Sequence, residues 1–182
     1  TEGQRQKFVP ALVAGERVGA FALTEPGAGS DSGAISTTAT KSNGGYLLDG
    51  TKIFITNGNE ADVFVVMATM DRSLRTRGIN ALVVERDTEG MTITKQHGKM
   101  GMRASSTAEI VFDSSPVPEE NRLGPEGQGF KQAMQSLNTS RIEIAAQALG
   151  IAQAAYEAAV SYAQQRKAFG QHIAGFQGIQ WM

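Results

Sequence analysis

The hydrophobic period of the chain changes once, and that change limits the folds open to it. Between Gly19 and Phe112, short runs of β-branched and aromatic residues alternate with turn residues. From Phe130 onward, apolar positions recur every three or four residues. Phe130, Met134, Leu137, Arg141, Ile144, Ala148, Ile151, Ala155, Ala159 and Ala163 share one stripe of a long helix facing a core. At about 1.5 Å per residue that helix could exceed 50 Å. A chain with both periods reads as α+β: an antiparallel β-barrel or sandwich followed by the first helices of an α-helical bundle.

Within the β part, Tyr46–Leu48 and Thr51–Thr56 flank Asp49-Gly50, a pair suited to a two-residue hairpin turn. Asp62–Thr69, Ile79–Arg86, Met91–Gln96 and Thr107–Phe112 supply further strands, and the arginine-rich run Asp71–Gly78 reads as an exposed loop. Ser114–Gly129, with Pro116, Pro118 and Pro125, reads as an irregular connection between domains. The many alanines of the long helix imply close approach of a neighbouring helix, within a C-terminal domain or across a subunit interface. Uncovered, that surface predicts instability or association.

Chemistry concentrates in Ala22–Ala34, A-L-T-E-P-G-A-G-S-D-S-G-A. An apolar strand (Phe21, Ala22, Leu23) ends in Thr24 and Glu25, and a loop follows. Gly27 and Gly29 suggest a backbone that adopts positive φ and comes close to a ligand, while Ser30 and Asp31 offer short polar groups to bind it or to cap a turn.

Bulk composition removes several function classes. Seventeen basic and eighteen acidic residues give a formal charge of −1, so no global field attracts nucleic acid or an anionic membrane. Without cysteine there is neither disulfide nor thiol catalysis. The longest apolar runs, such as Val63–Ala68, are too short to span a bilayer, and Glu2, Arg5 and Lys7 stand where a secretory signal would need apolar residues. His97 and His172 lack metal-ligand spacing, so no metal site is expected. The helix-like start at Gly3–Ala14 and the uncapped finish at Ile179–Met182 predict a chain cut at both ends.

The string L-T-E-P-G-A-G-S-D resembles the signature of the acyl-CoA dehydrogenase family. K-I-F-I-T-N-G (Lys52–Gly58), K-M-G-M-R-A-S-S-T (Lys99–Thr107), G-Q-G-F (Gly127–Phe130), Arg141 in the Ala-rich helix, and R-K-A-F-G (Arg166–Gly170) with Phe176-Gln177 repeat later family landmarks in order. The resemblance implies residues 1–18 as the end of an N-terminal helical domain, 19–115 as the middle β domain and 116–182 as the start of a C-terminal helical domain. It also implies FAD-dependent α,β-dehydrogenation of an acyl-CoA thioester in fatty-acid oxidation. Electrons would pass to an electron-transfer flavoprotein from a homotetramer, a dimer of dimers, in bacterial cytoplasm or mitochondrial matrix. K-I-F-I-T-N-G and A-A-Q-A-L-G-I-A-Q (Ala145–Gln153) look nearest to the short-chain, butyryl-type branch.

By the same resemblance, Phe21, Leu23 and Thr24 line the flavin on one side and Phe54, Ile55 and Thr56 on the other. Threonine hydroxyls suit a ring whose protonation changes with redox state, since they donate or accept. Phe54 stands where many relatives carry Trp. From composition alone it is as readily a core aromatic. Ser30 and Ser105 match acyl-CoA contacts, and Asn138 stands where many relatives carry Asp. Arg141 lies beside the thioester site in relatives; on a buried stripe its guanidinium would need a carboxylate or phosphate partner. Arg166, Phe169 and Gln177 match a segment that reaches the flavin nucleotide of a neighbouring subunit.

Relatives take the α-proton with a Glu, placed in the C-terminal region or immediately before the helix Arg. Ser140 precedes Arg141 here, and Glu143 lies roughly 200° round the helix from it. The base is therefore expected beyond Met182. Two alternatives remain: a flavin oxidase of the same fold, nitroalkane-oxidase-like, and a non-catalytic acyl-CoA or flavin-binding module.

Overall fold

A computed structural model describes residues 1–182, which form two compact units, Thr1–Met134 and Gln135–Met182. The first opens with helix α1 (Glu2–Val13), whose N-terminus is closed by a Thr1–Gln4 capping box. Eight strands follow: β1 (Gly19–Ala22), β2 (Thr38–Ser42), β3 (Gly45–Thr56), β4 (Val63–Thr69), β5 (Ile79–Glu85), β6 (Met91–Lys95), β7 (Thr107–Pro118) and β8 (Arg122–Leu123).

The sheet runs β6-β7-β3-β2-β4-β5-β8, and β1 joins β4 on the side that β2 reaches only at Thr38–Thr69. The path ends at β6 and β8 without closing, so of the two expected forms the sandwich is the one adopted. Most pairs are antiparallel; β1–β4 and β2–β4 are parallel. Ala22, Leu48, Ile55, Phe64, Leu82 and Ile110 belong to one buried cluster fed by both halves of the sheet. Phe8 of α1 joins Val63 and Val83 in a second cluster, so β5 is buried on both faces and carries the apolar run Ala81–Val84.

Asp49-Gly50 makes no hairpin. It lies within the continuous strand β3, at a register shift between Leu48 and Gly50. Gly50 has φ 148°, and a Cβ there would come within 2.6 Å of Thr37 Oγ1, so glycine is set by close packing. The hairpin turn is Asn43-Gly44, between β2 and β3, with Gly44 at φ 84°. The expected irregular run from Ser114 also begins as strand. β7 continues through Pro116 and Pro118 because β6 pairs only with residues 108–112, leaving that edge free where the prolines lack donors.

G-Q-G-F docks the start of helix α2 (Gly129–Gln165). The Gly127 N–H donates to Asn80 Oδ1 at 2.7 Å, and a Cβ on Gly129 would meet the Asn80 carbonyl carbon at 2.4 Å. The second unit carries most of α2, a hairpin of β9 (Lys167–Ala168) and β10 (Gln171–His172), and the short helix α3 (Gln177–Gln180). The expected apolar stripe is present, but from Arg141 to Tyr162 every residue is exposed, Ile144, Ile151 and Tyr156 among them.

Candidate functional site

Three motifs far apart in sequence meet along one end of the sandwich. Thr24 follows β1, and its carbonyl accepts the Ile53 N–H of β3 at 2.9 Å. Thr56, the last residue of β3, pairs with Thr107 of β7; the Asn57 N–H donates to the Ser106 carbonyl at 3.1 Å and Asn59 Nδ2 to the Thr107 carbonyl at 3.3 Å. Lys99 donates to the Ser105 carbonyl and, at 3.0 Å, to Thr107 Oγ1, fixing the 99–107 loop to the same rim.

Alternation decides which side chains this rim displays. Ala20 and Ala22 face the core while Phe21 is 37 % exposed. Leu23 and Ile55 are buried, so a part for either at a surface site passes through its backbone. Phe54 is 63 % exposed, which removes the core-aromatic reading. It sits where β3 slips register against β7 between Lys52 and Ile55, with φ 60°. A bulky residue held in the left-handed region and turned to solvent is costly, and such strain clusters at ligand sites. Thr56 is exposed, Thr24 half-buried, and Met100 and Met102 lie exposed on the third motif.

Glu25-Pro26-Gly27-Ala28 forms a tight turn closed by paired bonds between Glu25 and Ala28 at 3.0 and 3.1 Å. Gly27 and Gly29 do not adopt the expected positive φ, and a Cβ on either would enter open space. Their missing side chains serve neither backbone conformation nor internal packing; they leave room beside the loop. Ser30 is exposed there, and Arg75 holds the neighbouring Asp31 carboxylate through both oxygens at 3.1 and 3.2 Å.

Beneath the rim lies an ion pair that the sequence reading did not single out. Lys52 Nζ donates to Glu25 Oε1 at 2.8 Å and to the Leu23 carbonyl at 3.1 Å, and both charged side chains are buried. Burial alone would raise the Glu25 pKa, but Lys52, Thr37 and the Ser36 N–H stabilise the carboxylate and bring it down to about 2. Burial dominates at Lys52, whose ammonium has only two acceptors, and lowers it to about 8 against the pull of Glu25. Both groups stay charged at neutral pH. Glu25 is therefore too weak a base for proton abstraction beside Thr24.

The remaining candidates belong to the second unit. Arg141 is exposed and donates to Asn138 one helical turn earlier, so the expected burial of its guanidinium, and with it the need for an anionic partner, does not arise. Arg166 follows α2 directly; its carbonyl accepts the Ile173 N–H at 2.9 Å, which brings it against the segment leading to Gln177. Phe169 turns outward at the β9–β10 turn with φ 51°, its ring edge-on to Phe176 at 6.3 Å between centroids.

Exposed aromatics, strand-end hydroxyls and an open glycine turn suit a flat, largely apolar ligand with a hydrogen-bonding edge. A family model described as acyl-CoA dehydrogenase, middle domain, matches residues 20–115, and one described as acyl-CoA dehydrogenase, C-terminal domain, matches 127–182. An acyl-CoA dehydrogenase of Bacillus subtilis is 53% identical over 178 residues, 98% of this chain and 47% of its own length. A short-chain specific acyl-CoA dehydrogenase of Clostridium acetobutylicum is 50% identical over 182 residues, 100% of this chain and 48% of its own. The solved structure of butyryl-CoA dehydrogenase from Megasphaera elsdenii matches with a TM-score of 0.95 and 50% identity, over 100% of this chain and 48% of that one. The chain thus spans about half the length of the relatives it matches, and it belongs to the acyl-CoA dehydrogenase family.

Proposed function

We propose that the protein acts in the FAD-dependent α,β-dehydrogenation of an acyl-CoA thioester, with electrons leaving to an electron-transfer flavoprotein. The observation that carries this reading is the convergence of three motifs on one rim, with a strained, solvent-facing Phe54 between two strand-end threonines. Names of the relatives, short-chain specific and butyryl-CoA dehydrogenase, favour a short acyl chain.

The residues present fit a flavin: Phe21 and Phe54 offer apolar faces, Thr24 and Thr56 offer hydroxyls to a ring edge, and the open side of Gly27 and Gly29 lets a ligand approach the backbone. When bound, the flavin supplies the acceptor for the β-hydrogen, a role no side chain fills. The work of this chain is to hold and orient. Ser30 and Ser105 present hydroxyls to the acyl-CoA, the Asn138–Arg141 pair on α2 serves the thioester end, and Arg166, Phe169 and Gln177 serve the nucleotide portion of a flavin bound by a neighbouring subunit in a homo-oligomer. The α-proton base comes from outside the rim, since Glu25 is fully engaged and Asp31 is held by Arg75.

Anaerobic addition of butyryl-CoA to the FAD-loaded protein, extended to the length of its relatives so that the α-proton base is present, tests the reaction. Bleaching of the visible flavin band that persists until an electron-transfer flavoprotein is added is the expected result. A flavin that is bound but stays oxidised with every acyl-CoA overturns the substrate assignment. Rapid recovery of the band on admitting oxygen assigns an oxidase instead.

A further inference from the structure

Lys52 is completely buried, and its ammonium grips both neighbours of Thr24. Nζ donates to the Leu23 carbonyl and to Glu25 Oε1, while the next residue of the strand, Ile53, donates its N–H to the Thr24 carbonyl. One lysine and its successor thereby hold three consecutive residues at the base of the glycine turn. Glu25 extends the hold: one oxygen accepts the Ser36 N–H at 2.6 Å and Ser36 Oγ at 2.7 Å, and the other accepts the Thr37 N–H at 2.9 Å. Just beyond Lys52, β3 leaves its register with β7 and turns Phe54 outward.

A position that needed only burial could take Met or Leu without desolvating a charge, and buried ion pairs seldom stabilise a fold more than apolar replacements do. What a charged, hydrogen-bonded pair adds is directional geometry. We infer that Lys52 and Glu25 form a positioning clasp that fixes Thr24 relative to Phe54 and Thr56 for the flavin ring, an inference that rests on the flavin reading of this rim. Lys52 is sealed from solvent and acts only through the residues it holds.

The test compares the wild-type protein with Lys52→Met, Glu25→Gln and the double variant Lys52→Met/Glu25→Gln. Each is melted without cofactor and titrated with FAD, following visible absorption and circular dichroism of the bound flavin. The double variant leaves no unpaired buried charge, so it is expected to recover most of the melting temperature lost by Lys52→Met. It should still bind FAD at least tenfold more weakly than wild type, with an altered visible circular-dichroism band. A folded double variant with wild-type affinity and spectrum overturns the clasp and leaves the pair a core element only. Should both methionine variants fail to fold, Glu25→Gln decides by the same two readouts, since its amide oxygen still serves Ser36 or Thr37. Wild-type protein that takes up no FAD removes the flavin reading and the clasp with it; normal uptake by wild type and variants alike removes the clasp alone.

Discussion

Lys52 Nζ, the Ser36 N–H and hydroxyl and the Thr37 N–H converge on the Glu25 carboxylate, holding it ionised down to about pH 2 against an ordinary value of 4.5. A carboxylate whose pKa falls on folding adds stability that is complete above its unfolded value and is lost as pH drops through the folded one. Between about pH 4.5 and 2 the protein should therefore lose roughly 3 kcal/mol through this residue. Urea unfolding across that range should show the decline in wild type and a shallower one in Glu25→Gln; equal slopes would contradict the assignment. The sequence marked Glu25 only as a strand end and Lys52 only as part of a motif, because partners 27 residues apart carry no local signal. Gly27 and Gly29 were legible as a turn, though not for positive φ: the space they leave is outside the chain.

Element by element, periodicity located β4, β5, β6 and α2 within a residue or two, since each is a sustained pattern set by burial. What it missed were irregularities inside a strand. Asp49-Gly50 carries hairpin chemistry, but the contact of Gly50 with Thr37 belongs to the folded sheet. The slip between Lys52 and Ile55 is equally silent in sequence, and it is what presents Phe54. Releasing Phe54 from φ 60° should relieve about 1–2 kcal/mol of backbone strain. Phe54→Gly is accordingly expected to leave the cofactor-free protein as stable as wild type or more so while weakening FAD binding. A variant that loses stability and keeps its FAD affinity would show that the slip serves packing instead.

Across the whole molecule, the apolar stripe of α2 was legible, whereas what covers it was not, because a period reports a face and never its partner. Ile142, Ile144, Leu149, Ile151, Tyr156 and Tyr162 are all more than half exposed, beyond what scattered surface residues explain. Light scattering should show association that grows with protein concentration and falls on Ile144→Glu/Ile151→Glu; a wild-type monomer at every concentration would contradict it. One rim assembled from three motifs carries the proposed flavin site. Its most direct test is equilibrium titration of FAD into the wild-type protein beside a variant carrying Thr24→Val, Phe54→Ala and Thr56→Val, read from the visible flavin band. Saturable uptake by wild type and affinity at least a hundredfold weaker in the variant are predicted; no uptake by wild type, or equal affinity in the two, would contradict a flavin site at this rim.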